Sequence, residues 1–123
     1  MRIQENLEKS KYEADGSIQI QGTTIPYHTI CEDHFFVDEE NNPVASIFSY
    51  AYFRSDVQDN SKRPILFIYN GGPGCASLWL HMGLFGPRIV KLDNELNLPT
   101  VPPFELEDNP HCLLDICDLV FID

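Results

Sequence analysis

The chain has 123 residues, 43% of them hydrophobic, and eight Lys and Arg stand against nineteen Asp and Glu for a net charge of −11. That length suits one compact domain burying about two-thirds of its unfolded surface, and five Tyr, eight Phe and one Trp exclude a disordered, solvating tail. The charge excludes a nucleic-acid binder, which needs basic patches to displace counterions, and an anionic membrane surface as partner; the excess acid reads as a solubilising surface.

Residues 1–15 are mostly polar and charged and are expected to form a flexible lead-in. The first seventeen residues contain no apolar core, so they read as neither a signal peptide nor a membrane helix, and a cytoplasmic location is expected. From Gly16 the run SIQIQGTTIPYHTI alternates apolar and polar positions, the period of a twisted antiparallel ribbon. HFFVD (34–38) is a second strand. It is joined by the EENNP turn to VASIFSYAYFR (44–54), whose β-branched and aromatic content favours a strand strongly. The polar stretch 56–63 leads into ILFIY (65–69), apolar on both faces as a buried, usually parallel, strand must be. A glycine-rich turn follows at 70–74, then a helix-length segment, 75–85, stopped by Gly86-Pro87. Residues 93–109 contain three prolines and are expected to be irregular, and DLVFID (118–123) closes the chain as another buried strand. Antiparallel strands first, then strand, glycine turn, helix and strand, is the opening of an α/β sheet.

Cys31, Cys75, Cys112 and Cys117 are irregularly spaced, and the single C-x₄-C pair lacks the further cysteines or histidines of a zinc site. Reduced thiols and no metal are the expectation.

The most informative stretch is NGGPGC, 70–75. Glycine at 71, 72 and 74 removes side chains that would keep a ligand off the backbone, and Pro73 stiffens the turn. At the carboxyl end of a buried strand, such a turn can hold a peptide N–H free and aimed into a crevice, where it would stabilise negative charge developing on oxygen. An ordinary strand-to-helix turn has the same composition. A phosphate loop fits less well, because the Lys and Ser/Thr of G-x-x-x-x-G-K-[ST] are missing.

NGGPGC following RPILFIY resembles the oxyanion loop of the serine carboxypeptidases, a branch of the α/β-hydrolase fold. WLHMGLFGPR (79–88) resembles that family's segment ending in Gly-Pro, and NPHCLLDICDLVFID (109–123) its Asn-Pro segment running into the next sheet strand. With the strand ending in Phe53-Arg54-Ser55, the likeness covers about residues 44–123 in the family's order. The resemblance implies that Gly72 donates its backbone N–H to the oxyanion of the tetrahedral intermediate. It also implies that Asn70 hydrogen-bonds the free α-carboxylate of a peptide substrate, with Gly71 in the same anchoring network. An amide suits this role, since it donates without a permanent charge.

The chain departs from the family's pattern at several positions. Leu84 stands where many members carry a glutamate bracing the asparagine, and Cys75, which secreted members tie into a disulfide, is expected here to be a free, buried thiol. None of the seven serines lies in the G-x-S-x-G elbow that positions a nucleophile. Ser77 sits in the segment after the loop, and His28, His34, His81 and His111 all precede where an elbow would stand, so they read as exposed or packed imidazoles. The resemblance therefore implies an N-terminal portion of a hydrolase domain, 16–123, truncated before the nucleophile elbow. No triad residue lies in this chain, which is expected to be inactive alone.

The implied reaction in a complete enzyme is release of a C-terminal amino acid through an acyl-enzyme, with no cofactor and a peptide with a free carboxylate as partner. A second reading is a non-catalytic module that pairs with a complementary fragment. Its last strand would lack a neighbour and invite self-association through the open sheet edge. A third keeps the hydrolase fold but makes it an aminopeptidase or esterase. Asn70, where HGGPG loops have His, and the 109–123 segment favour the carboxypeptidase branch.

Overall fold

The computed structural model describes residues 10–97 and 100–123. Residues 1–9 of the expected lead-in lie outside them, and the last five positions of that lead-in are strand rather than loop. Strand β1 (Lys11–Ile20) pairs antiparallel with β2 (Thr23–Val37), Ile18 opposite Ile25 and Ile20 opposite Thr23. The connection is the two-residue turn Gln21-Gly22, at φ 50° and 79°. Positive φ at both central positions matches the right-handed twist of the flanking strands, the geometry favoured in tight hairpins. The single alternating run read from the sequence is thus two strands, and β2 also absorbs HFFVD.

β2 continues by the expected hairpin into β3 (Pro43–Arg54), with a register shift between Phe36 and Val37. In the turn, Asp38 Oδ1 accepts from the N–H groups of Glu40 and Asn42 at 2.9 Å each, and Asn41 takes φ 63°. Short side chains that bond nearby backbone tolerate such a conformation.

β4 (Ile65–Ile68) and β7 (Asp118–Ile122) are the two continuous apolar runs, and they pair in parallel, Phe67 beside Val120. β7 also pairs antiparallel with β3, Tyr50 opposite Phe121, giving the mixed order β1-β2-β3-β7-β4. The expectation that the last strand would be left unpaired is therefore corrected. β7 is internal, as a strand apolar on both faces should be; the short β4 forms that edge with Ile65, Phe67 and Tyr69 exposed, which corrects the expectation that 65–69 is buried.

Between the parallel strands the helix is shorter than expected. It consists of α1 (Leu78–Leu80) running into a π-helical turn, His81–Phe85. Residues 93–109 are not wholly irregular. β6 (Leu106–Asp108) pairs with β5 (Arg88–Val90), clasped by Arg88–Asp108 and Lys91–Glu105 ion pairs of 2.8 Å. Alternating acids and apolar residues there serve a small hairpin. Strand dominates, and the mixed five-stranded sheet with a loop-and-helix passage between parallel neighbours fits an α/β-like arrangement.

The two faces of the sheet differ. One carries Ile18, Ile25, Tyr27, Leu119, Phe121 and Ile68, packed beneath Leu80, Phe85, Cys112 and Leu114 as the core. The opposite face presents Ile30, Ile47, Phe53, Phe67, Val120 and Ile122 around an open groove, with Phe67 59% exposed. Among the described residues no helix or second sheet covers it. Buried Asn109 ties the covering segments together: its Nδ2 donates to the carbonyls of Leu84 and Gly86 at 2.7 and 2.9 Å, while Oδ1 accepts from His111 N–H at 3.0 Å. The Gly-Pro and Asn-Pro segments are thereby held against each other, with Asn109 N–H also donating to Pro87 O.

Candidate functional site

The 70–75 loop leaves the carboxyl end of β4 and enters α1. Gly72 and Gly74 have φ of +79° and +83°, where side-chain-bearing residues are strained, so these two glycines are conformational requirements. The one backbone bond inside the loop runs from Cys75 N–H to Gly72 O, 3.2 Å. A Cβ placed at Gly71, Gly72 or Gly74 would meet nothing within 4 Å, so the loop backbone faces open space. Gly72 N–H donates to no acceptor among the described residues. This arrangement leaves a backbone donor accessible from solvent at the end of a sheet strand.

Asn70 is half-buried beside it. Its Nδ2 donates to Cys75 Sγ at 3.4 Å, whereas its Oδ1 is buried with no hydrogen-bond partner. A buried amide with one end unsatisfied costs free energy unless a ligand completes it. Rotation of the amide would exchange donor and acceptor between the buried position and the one facing Cys75 Sγ. Cys75 itself is exposed, which corrects the expected buried thiol. The reversal of backbone hand at Gly74 carries the next residue outward. Leu84 is also exposed. Cys31 is half-buried and Cys112 and Cys117 are buried; burial pushes the Cys112 thiol up to about 11, keeping it protonated and unreactive at neutral pH.

Ser77, the residue before α1, is 0% exposed, and both its N–H and its hydroxyl donate to Asp123 Oδ1, at 2.6 and 2.5 Å. His81, one turn on, does not join them in a relay. Its Nε2 is bonded to the Tyr52 hydroxyl at 2.7 Å, and its ring stacks on Phe121 at 4.4 Å. Of the remaining histidines, two are bonded through their rings and one is exposed. His28 Nδ1 meets Asp15 at 2.7 Å, His34 Nε2 meets Ser49 Oγ at 2.7 Å, and His111 is exposed. The Ser77–Asp123 bridge spans 46 positions, and no local pattern announces it.

Burial holds the His81 imidazole below its ordinary pKa, against a smaller opposing pull from the Asp123 charge. In the pH range near 6.5 the unfolded chain then binds the proton more readily than the folded one, so stability present above that range is lost as pH falls. His28 has the opposite sign, because its bond to Asp15 raises its pKa and its contribution fades as pH rises. In urea unfolding, His81→Gln is expected to lose less stability than the wild type as pH falls from about 7.5 to about 5.5. An unchanged slope would contradict the assignment.

Among the described residues no three His, Cys, Asp or Glu side chains gather as metal ligands would, and no helix is long and apolar enough to cross a membrane. The chain is similar to curated carboxypeptidases. Over 86 residues, 70% of its length, it is 31% identical to the pheromone-processing carboxypeptidase KEX1 of Saccharomyces cerevisiae (strain JAY291). Over 74 residues, 60% of its length, it is 31% identical to the proteins of the same name in Komagataella phaffii and Komagataella pastoris. The matched region is 10% of each relative, so the chain spans about a tenth of their length. No family model matches the chain, and no solved structure matches it. The likeness supports a carboxypeptidase-related segment, hydrolytic at family level.

Proposed function

We propose that the 70–75 loop is the substrate-anchoring and oxyanion-stabilising element of a serine-type carboxypeptidase with an α/β-hydrolase sheet. In this reading, Asn70 donates its amide N–H₂ to the free α-carboxylate of a peptide, assisted by Gly71, and the Gly72 N–H faces the carbonyl oxygen of the scissile bond. As a nucleophile adds to that carbonyl, charge gathers on the oxygen and the Gly72 hydrogen bond strengthens; one such donor is worth about 2.7–4 kcal/mol of barrier in comparable enzymes. No metal or organic cofactor is needed. The nucleophile, base and second donor come from residues outside this chain, because Ser77 is buried against Asp123 and His81 is held by Tyr52. In this reading these 123 residues bind a peptide without hydrolysing it.

The observation that carries this reading is the unused Gly72 N–H on an open, left-handed loop, beside an Asn70 amide with one buried end unpartnered. The similarity to carboxypeptidases points the same way. Calorimetric titration of the chain with an N-acylated dipeptide is the test. The free acid is expected to bind at least about tenfold more tightly than its C-terminal amide, a difference of about 1.4 kcal/mol. Asn70→Ala should erase the preference. Equal binding of acid and amide by the wild type would sink the proposal.

The bare sheet face and the open edge of β4 favour a second role, as an interaction surface. An uncovered apolar face of this kind marks a place where another layer packs, and a complementary part of a larger hydrolase domain, or self-association at the β4 edge, would supply it.

A further inference from the structure

We infer that Asp123 is a positioning residue for the 70–75 loop, acting through Ser77 to hold the Gly72 N–H in place. The inference rests on the reading of Gly72 and Asn70 given above. The loop itself lacks the means to fix its own shape. Three of its glycines border empty space, and only the turn bond from Cys75 N–H to Gly72 O and the long Asn70 Nδ2–Cys75 Sγ bond close it. α1 is only three residues long, so it contributes little orientation by itself. What remains are the tethers at the two ends.

Both tethers lead to the same place. At the entry, Ile68 is paired in parallel with Phe121 of β7. At the exit, Ser77 is bonded twice to Asp123 Oδ1, just beyond the end of β7. Asp123 is itself fixed on the other side, its N–H donating to Phe48 O at 2.8 Å and its carbonyl accepting from Phe48 N–H at 3.2 Å. The carboxylate therefore stands at a set point beyond the carboxyl end of the sheet. A buried hydroxyl and a backbone N–H converge on one charged acceptor, the strongest kind of neutral-donor bond. Ser77 passes the constraint onward, since its carbonyl accepts from His81 N–H at 2.8 Å. Asp123 touches no reacting atom; it sets the span that the loop must close.

The test is amide-resolved NMR on the 123-residue chain without ligand, in Asp123→Ala, Asp123→Asn and Ser77→Ala. In Asp123→Ala the Ser77 amide is expected to exchange at least about tenfold faster, the increase that losing a bond of about 1.4 kcal/mol would produce. The Gly71, Gly72 and Gly74 amide signals should move with it, while β1 and β2 keep their protection. Asp123→Asn retains an acceptor oxygen and should restore the loop signals most of the way, a rescue that a merely destabilising change would not show. Ser77→Ala keeps the backbone bond and should give an intermediate displacement. Loop signals at wild-type positions in Asp123→Ala would overturn the inference. Should that variant fail to fold, loop signals unmoved in Ser77→Ala would overturn it equally. A wild-type chain that does not distinguish acid from amide peptides, yet shows these displacements, would refute the carboxypeptidase reading and leave the positioning intact.

Discussion

Replacing Phe121 by alanine is expected to cost about 3–5 kcal/mol of folding free energy, the range found for deleting a large aromatic side chain from a packed core. Phe121 is 0% exposed and lies in the internal strand β7, between Tyr50 of β3 and Ile68 of β4. Its ring stacks on His81 at 4.4 Å and meets Tyr52 edge-on at 6.0 Å. Truncation therefore opens a cavity where the sheet, the π-helical turn and the His81–Tyr52 pair come together. Urea unfolding should show a large fall in midpoint, because the loss is a sizeable share of the stability of a domain this small. His81 loses the wall that buries it, so its imidazole should also titrate closer to the ordinary histidine value. A loss below about 1 kcal/mol would mean that the covering layer does not pack as described.

Asp118→Ala is expected to be comparably severe, at about 3–5 kcal/mol, because it strands a buried cation. Asp118 Oδ1 accepts from Arg63 Nε at 3.1 Å and from Arg54 N–H at 3.0 Å, and the two ionic side chains are only 10% and 6% exposed. Arg63 also donates to Leu114 O at 2.9 Å, and Asp118 N–H donates to Pro64 O at 2.9 Å. The carboxylate thus joins the start of β7 to the end of β3 and the start of β4. Removing it leaves a guanidinium and a backbone N–H without their acceptor, and that desolvation, more than the attraction lost, sets the cost. Asp118→Asn retains an acceptor and should lose less, and the double replacement of Arg63 and Asp118 by apolar residues should lose less than Asp118→Ala alone. Urea midpoints for the three variants in that order check the account.

Much of this architecture was legible where a short segment carries its own signal. ILFIY and DLVFID are apolar on both faces and form the parallel pair, but only DLVFID is buried as expected; β4 lies at the sheet edge with Ile65 and Phe67 exposed. The EENNP turn announced the β2–β3 hairpin through residues that bond their own backbone. The Gln21-Gly22 turn was hidden because the apolar alternation runs on to either side of it, Ile18 and Ile25 falling on one face across the hairpin. β6 was hidden by prolines and acids whose role is set by partners on β5 rather than by propensity. The helix after the loop is shorter than its composition suggests, since composition says little about where a left-handed glycine and a distant carboxylate let it begin. At the site, the glycines and Asn70 stood out by composition, whereas the exposure of Cys75 and the bond from Ser77 to Asp123 depend on tertiary placement.

From these placements follows a division of labour. β4 and β7 carry the two ends of the loop, Asp123 and Ser77 fix its span, the glycines leave its backbone uncovered, and Asn70 offers an unsatisfied amide beside the Gly72 N–H. The most direct test is a ¹⁵N-resolved titration of the chain with an N-acylated dipeptide free acid and, separately, its C-terminal amide. The acid is expected to move the Asn70 side-chain amide and the Gly71 and Gly72 backbone signals saturably, and the amide to leave them nearly in place. Displacements confined to other parts of the chain, or the same displacements with both peptides, would contradict that expectation.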